Sequence, residues 1–193
     1  RAVTRRGGDA RGPGGAEMST RVLRGIGYRG VAGDVERANM RGAIARHTQV
    51  TGAAPLGWYQ GRTSPNTARL VVEEGSFLYD ADSYADDLPY YDRQYGKPQL
   101  VVPYPLDVND MKFAALNGFT EGEQFFHYLR DTFDMLYREG GRMMSVGLHC
   151  RLAGKPARAL AVARFLEHVA AHADVWVATR ADIARHWQKV HPA

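Results

Sequence analysis

Apolar runs alternate with helical patterns along most of this chain, and several of the runs are apolar on consecutive residues rather than on every second residue. The runs cover residues 55–59, 77–82, 99–105, 143–149 and 174–179. A strand that is apolar on both sides is covered on both sides, as in a parallel sheet flanked by helices. The chain is therefore predicted to be an α/β protein built from repeated strand and helix units.

The helical patterns have recognisable starts and stops. The predicted helices cover residues 34–52, 64–75, 121–140, 156–172 and 180–190. Ser64 and Pro65 are typical of the N-cap and the first helical position, and Gly75 is typical of a helix end. Such a series closes as a (β/α) barrel or as a doubly wound sheet. We favour the barrel, because no glycine-rich phosphate loop with a downstream acidic residue marks a dinucleotide site.

Residues 28–193 are expected to form one domain. The chain has 193 residues, 45% of them hydrophobic, which is enough for one core but hardly for two. Residues 1–27 are rich in arginine and glycine and have no apolar period, so we expect a disordered segment or an aberrant edge of the fold.

The positive charge is concentrated at the start of the chain. Residues 1–33 contain seven arginines and two acidic residues, whereas residues 34–193 contain 18 basic and 19 acidic residues. A basic, glycine-rich arm can bind RNA or anionic lipid, but residues 1–27 contain no aromatic side chain for such a role. A solvated tail is the favoured interpretation, and no nucleic-acid partner is expected.

The sequence has no feature of a membrane or secreted protein. No apolar stretch approaches the roughly 20 residues that cross a bilayer, and the start lacks the apolar region of a secretory signal. Cys150 is the only cysteine, so neither an intrachain disulfide nor a cysteine-based metal cluster can form. We expect a cytoplasmic protein without a membrane partner.

Polar side chains follow the predicted strands at their C-terminal ends. In β/α folds the loops at these ends carry the functional groups, whether the sheet is closed or open. The run 143–149 is apolar until it ends in His149, with Arg151 close behind. The same rule selects Arg62, Asp80, Asp82, Tyr104, Asp107 and Asn109. These side chains are expected to collect at one rim.

Arg62 directly precedes a predicted helix start. The free N–H groups of a helix start and a guanidinium both favour an anion, so together they could hold a carboxylate or orient a catalytic acid. An ordinary cap beside a surface ion pair explains the same residues more simply. The motif by itself leaves both interpretations open.

Two patterns raise the question of a metal. Residues 80–87 contain four carboxylates, but the glycine and final glutamate of a calcium loop are not at the required positions. His168 and His172 have the spacing of two ligands on one helix face, but no second motif supplies a carboxylate. No metal or other cofactor is therefore expected. Cys150 follows His149 on a predicted strand and is expected in the core, on the opposite face.

Several long motifs carry a family resemblance. At "GWYQGRTSPNT", "FLYDADSYADDLPYY", "LVVPYPLDVNDMKF" and "MMSVGLHCRLAGKPAR" the chain resembles the bacterial allantoinases of the polysaccharide deacetylase (NodB-homology) superfamily. The resemblance extends from about residue 28 to the C-terminus. It implies an incomplete or distorted (β/α) barrel, usually a homo-oligomer, that opens the hydantoin ring of allantoin. These enzymes need no metal, although their sugar-deacetylating relatives use one.

The resemblance also implies roles for individual residues. Arg62 falls on the arginine motif, which orients the catalytic carboxylate, and His149 falls on the L-x-H motif, whose imidazole acts as general acid or polarises the tetrahedral intermediate. Such groups suit amide hydrolysis, which needs a proton for the leaving nitrogen and donors for the oxyanion. The implied substrate-binding residues are Trp58, Asp80, Asp82, Tyr104 and Asn109.

The chain also departs from the family pattern. The acidic motif that supplies the catalytic base lies upstream in the family and has no counterpart here, and Arg21 and Gly25 stand where the family has His and Trp. Two hypotheses follow. The chain is the C-terminal portion of an allantoinase-like amidohydrolase, with a sugar N-deacetylase as the alternative enzyme, or it is a truncated, non-catalytic chain that keeps only the fold and the subunit interface.

Overall fold

A computed structural model of the protein describes residues 17–20, 27–114 and 118–193. The elements in chain order are α1 (Gly33–Thr51), β1 (Gly57–Trp58), α2 (Thr67–Glu74), β2 (Tyr79–Asp80), β3 (Tyr90–Asp92), β4 (Gln99–Val101), a 3-10 helix (Asp110–Phe113), α3 (Gly122–Glu139), α4 (Cys150–Ala153), α5 (Pro156–Ala170) and α6 (Arg180–Val190). Among the described residues, no helix combines the length and apolar character needed to cross a membrane.

The chain divides into two compact units. The first comprises Arg1–Ser83, Pro89–Pro103 and Ala178–Ala193, and the second comprises Tyr84–Leu88 and Tyr104–Val177. The predicted arginine- and glycine-rich segment 1–27 lies mostly outside the described residues, as do Arg21 and Gly25. Within it, the Thr20 N–H donates to the Gly57 carbonyl at 3.3 Å, and the Tyr59 N–H donates to the Thr20 carbonyl at 3.2 Å.

The first unit contains a four-stranded sheet in the order β1-β2-β4-β3. Strands β1, β2 and β4 are parallel, since each connection between them is long enough to return the chain to the same end of the sheet. Strand β3 pairs antiparallel with β4 at the edge. The parallel strands were predicted from the sequence, whereas the short, partly exposed β3 was not.

Helices α1 and α2 cover the sheet of the first unit through one apolar cluster. Trp58 of β1 is completely buried, and its ring lies 5.3 Å from that of Phe77. The cluster consists of Met40, Ala43, Trp58, Leu70, Val71 and Phe77. Burial of the apolar side chains of this cluster holds both helices on the sheet.

In the second unit, helices α3 and α5 pack together through aromatic side chains. Phe133 of α3 meets Phe165 of α5 edge to face, with ring centroids 6.2 Å apart. A Cβ on Gly122 would lie 2.7 Å from the Ala157 carbonyl oxygen, so only glycine allows this approach of the two helices. Both helices were predicted within two residues of their ends.

Two predicted strands are absent from the described residues. The segment 143–149 forms only an isolated bridge, between Gly147 and Asn109, and 174–179 forms no strand. Trp176 and Val177 are exposed instead. A strand requires hydrogen bonds from a neighbour over several residues, and an apolar run cannot supply that neighbour by itself.

Three local predictions also need correction. Cys150 is exposed rather than in the core, because it is the first residue of α4 and not part of a strand. Helix α2 begins at Thr67, not at Pro65; the Ser64 hydroxyl accepts from the Asn66 N–H at 2.9 Å in the preceding turn. Helix α1 begins at Gly33, one residue before its predicted start, and Ala32 is its N-cap.

Gly57 of β1 tests the packing of the first unit. A Cβ at this position would lie 2.1 Å from the ring of Tyr79, so Gly57→Ala should lower the free energy of unfolding by about 1–3 kcal/mol or more. Urea unfolding followed by circular dichroism measures the loss. Gly27→Ala, where a Cβ would meet no atom within 4 Å, is the control and should leave stability nearly unchanged. Equal losses in both variants would contradict the predicted clash.

Candidate active site

The imidazole of His149 is held by a buried carboxylate in the second unit. His149 precedes α4, and its Nδ1 lies 2.6 Å from Oδ1 of Asp110. The side chain of Asp110 is 0% exposed, whereas that of His149 is 30% exposed. An ionised carboxylate accepts from the Nδ1–H tautomer of the imidazole, and in that tautomer Nε2 is left for proton exchange with a ligand.

Asp110 also holds the backbone around His149. Its Oδ2 accepts the N–H of His149 at 2.7 Å and the N–H of Ala153 at 3.2 Å. One carboxylate therefore fixes both the direction of the imidazole and the start of α4. Pairs of this kind, an aspartate that orients a histidine, are typical of general acid and base catalysis.

Tyr104 and Asn109 lie beside this pair. The Asn109 amide donates to the Tyr104 hydroxyl at 2.9 Å, and its Oδ1 accepts the Met111 N–H at 2.8 Å. A Cβ on Gly147 would lie 2.2 Å from the Tyr104 hydroxyl, so glycine is required for this contact. The structure thus brings together three of the predicted site residues, and substrate contact by Tyr104 and Asn109 stays a prediction.

Arg62 lies in the first unit, in the loop between β1 and α2. The side chain is exposed, and its guanidinium has no hydrogen-bond or ion-pair partner among residues 17–20, 27–114 and 118–193. A surface ion pair, the simpler of the two interpretations of this motif, is therefore not found in that part of the chain. Whether Arg62 and His149 share one rim stays a prediction, since they belong to different compact units.

The two predicted acidic residues of the first unit have different environments. Asp82 accepts the backbone N–H groups of Gln60 and Gly61 at 2.6 and 2.7 Å. Asp80 is buried at the end of β2 and accepts the Asp82 N–H at 3.0 Å. The polar atoms of Asp82 thus hold the loop that carries Arg62, and substrate contact by either aspartate stays a prediction.

Trp58, also a predicted substrate-binding residue, lies inside the core of the first unit. Its side chain is 0% exposed, and its Nε1 has no hydrogen-bond partner among the described residues. The burial of Trp58 fits a role in packing better than a role in ligand contact, because the indole fills the space under α1 and α2.

Potential metal ligands do not cluster in the described ranges. No group of three or more His, Cys, Asp or Glu side chains with a suitable arrangement occurs within residues 17–20, 27–114 and 118–193. Both histidines of the predicted pair, His168 of α5 and His172 just beyond the end of that helix, make other contacts. His168 Nε2 lies 2.6 Å from Asp134 of α3, and the Nδ1 of His172 lies 2.9 Å from the His168 carbonyl oxygen.

Sequence reasoning did not select Asp110 or Glu36, the two most buried carboxylates of the described chain. Asp110 is 0% exposed and Glu36 is 1% exposed. Asp110 follows Asn109 directly, so the rule that selects residues after strands could have included it. Glu36 gives no such signal, since an acidic residue in the first turn of a helix is usually exposed.

Comparison with known proteins decides the relationship. The crystal structure of PuuE allantoinase is 52% identical in sequence with a TM-score of 0.90, and the match covers 93% of this chain and 61% of that chain. By sequence and by fold, the chain is similar to an allantoinase and to polysaccharide deacetylases. The expected fold class, an incomplete or distorted (β/α) barrel of the polysaccharide deacetylase type, is confirmed.

Two further relatives agree. The crystal structure of a "probable polysaccharide deacetylase" from Pseudomonas aeruginosa PAO1 is 53% identical with a TM-score of 0.89, over 93% of this chain and 61% of that chain. A curated protein of Schizosaccharomyces pombe, strain 972, named "Putative polysaccharide deacetylase", is 39% identical over 92% of this chain and 62% of its own length. The chain thus spans about three fifths of these relatives. No family model matches it.

The two partners of the Asp110–His149 pair should contribute differently to stability. Asp110→Ala leaves the buried N–H groups of His149 and Ala153 without an acceptor and should lower the free energy of unfolding by about 2–4 kcal/mol. His149→Ala should cost about 1 kcal/mol, because water can reach the space left by a side chain that is 30% exposed. Urea denaturation measures both. A larger loss for His149→Ala would contradict the anchoring role of Asp110.

Asp80 should make stability depend on pH. Burial, and second the charge of Asp82, raise the pKa of Asp80 from 3.8 to about 7. Between these values the unfolded chain releases a proton that the folded chain keeps, so this group lowers stability as the pH rises to about 7. Asp80→Asn removes that titration. Relative to wild type, it should gain about 1–4 kcal/mol in free energy of unfolding between about pH 4 and about pH 8.

Urea denaturation at both pH values measures the Asp80 effect. The exposed Asp86, only six residues further along the chain, provides the matched control as Asp86→Asn. An Asp80→Asn difference that is independent of pH would contradict the raised pKa.

Proposed function

We propose that this chain is an amidohydrolase of the allantoinase type, which hydrolyses a C–N amide bond in a cyclic ureide such as allantoin. The observation that carries the proposal is the Asp110–His149 pair, in which a buried carboxylate holds a partly exposed imidazole at 2.6 Å. The 52% identity with PuuE allantoinase supports the choice of substrate class. The cytoplasmic location and the homo-oligomer stay predictions.

Ring opening makes specific chemical demands. Water adds to the amide carbonyl, the C–N bond breaks, the ring nitrogen takes up a proton, and the carbonyl carbon becomes a carboxylate. We assign the delivery of this proton to Nε2 of His149. Because Nδ1 is held by Asp110, Nε2 takes up through solvent a proton released when water adds to the carbonyl, and it passes that proton to the ring nitrogen as the C–N bond breaks. Asp110 keeps the ring in one orientation and one tautomer during this transfer.

Arg62 of the first unit is proposed to hold a carboxylate. Its guanidinium is exposed and unpaired within residues 17–20, 27–114 and 118–193, which leaves its donors free for such a group. In the family that this chain resembles, that group is the catalytic carboxylate. The described residues offer no acidic side chain bonded to Arg62 in that role.

An N-deacetylase of sugar polymers is the second candidate. It is favoured by the names of the relatives from P. aeruginosa and S. pombe. Both reactions are amide hydrolyses and make the same demand for a proton at the leaving nitrogen. The ring-opening candidate comes first because it accounts for the relative whose name specifies a substrate.

The experiment compares substrates on the purified chain. Allantoin should be converted to allantoate, whereas N-acetylglucosamine oligomers should release no acetate. His149→Ala should lower kcat by about 10²- to 10⁴-fold, since general acid catalysis contributes that much. His127→Ala, which changes an exposed histidine of α3, should retain the wild-type rate.

The other outcomes discriminate among the hypotheses. Acetate release without allantoin turnover would replace the first candidate by the second. Turnover that persists in His149→Ala would contradict the role of His149. Absence of turnover on every amide, with or without EDTA, would support the hypothesis that this chain keeps the fold but performs no chemistry by itself.

A further inference from the structure

The loop that presents Arg62 is fixed on both sides of that residue, although the guanidinium itself is exposed. The loop joins β1 to α2 and includes Gln60, Gly61, Arg62 and Ser64. A catalytic cation must be held in position by groups that do not neutralise its charge. The contacts of the loop backbone with its surroundings decide whether this condition is met.

Asp82 holds the loop on the N-terminal side of Arg62. Its two carboxylate oxygens accept the N–H groups of Gln60 and Gly61 at 2.6 and 2.7 Å. Gly61 has a φ of 76°, a left-handed conformation in which a β-carbon is unfavourable. Two charge-assisted hydrogen bonds to successive N–H groups fix the turn that leads into Arg62.

Glu36 of α1 holds the loop on the C-terminal side of Arg62. The carboxylate is 1% exposed and accepts from the Ser64 hydroxyl at 2.6 Å and from the Thr67 hydroxyl at 2.5 Å. Buried carboxylates usually have a cationic partner, but the three hydrogen bonds to Glu36 in the described residues come from neutral side chains. All three donors belong to the loop or to the first residue of α2.

Gln60 joins the two supports. Its N–H donates to Asp82, while its side-chain Nε2 lies 3.2 Å from both the Glu36 carboxylate and the Arg62 carbonyl oxygen. The backbone of Arg62 therefore lies between two anchored points and is itself an acceptor in the network. None of these bonds uses the guanidinium.

Docking of α1 on α2 does not explain the burial of Glu36. The two helices are also joined by Arg37 with Glu73 and by Arg41 with Glu74 at 3.4 Å, and by the apolar cluster beneath them. A buried carboxylate adds a desolvation cost that helix docking does not require. Its hydrogen bonds are instead directed to the segment that carries Arg62.

We propose that Glu36 and Asp82 are positioning residues, which hold Arg62 in place for its role in amide hydrolysis. The inference rests on the proposed function for its catalytic consequence but not for its structural part. This role differs from a general contribution to stability, because the effect of both carboxylates on catalysis is assigned to Arg62 alone. Two measurements separate these possibilities.

The first measurement is hydrogen exchange of the loop by mass spectrometry. In Glu36→Gln and in the milder Ser64→Ala, amides of residues 60–64 should exchange at least about tenfold faster than in wild type, with amides of α6 unchanged. Glu74→Gln, which changes a glutamate on the same helix pair, is the matched control and should not alter exchange in the loop. Uniform acceleration in both regions, or no change in the loop, would overturn the proposal.

The second measurement is a double-variant comparison of kcat. Glu36→Gln should lower kcat, and Glu36→Gln with Arg62→Ala should be no slower than Arg62→Ala alone, because the first change acts only through Arg62. Losses that multiply would overturn the proposal. If the wild type hydrolyses no amide, the proposed function fails, and the exchange measurement still decides whether Glu36 holds the loop.

Discussion

Carboxylates that accept hydrogen bonds from loops are the interaction on which the rest of this structure depends. Asp110 holds the start of α4, Asp82 holds the turn after β1, and Glu36 holds the segment before α2. The parallel strands are only two or three residues long, so their own ladders cannot fix the loops that follow. An acceptor brought from another part of the chain supplies the missing constraint.

The helices could be predicted from the sequence because their signals are local. Apolar spacing predicted α1, α3 and α5 to within two residues at both ends of each helix. Strands are different, since an apolar run becomes a strand only where another strand lies beside it. The runs 77–82 and 99–105 have such neighbours and contain β2 and β4, whereas 174–179 has none among the described residues.

Residues of the candidate site could be predicted where they follow an apolar run. They could not be predicted where they hold the site from a distant part of the sequence. His149 was found from its position after an apolar run, even though that run is not a strand. The acidic partner of His149 is 39 residues away in sequence, and only the fold brings the two together. Glu36 could not be found from sequence because burial of its carboxylate depends on hydroxyl donors at Ser64 and Thr67.

The two oxygens of Asp110 have an evolutionary consequence. One oxygen faces the imidazole and the other holds backbone N–H groups, so under the proposed function loss of the reaction would remove the catalytic reason to keep His149 but not the structural reason to keep Asp110. A descendant that abandons hydrolysis is free to replace the histidine while the aspartate remains under selection for folding. In a set of related genes, an aspartate retained at position 110 is therefore no evidence of an active enzyme, whereas under the proposed function a histidine retained at position 149 is.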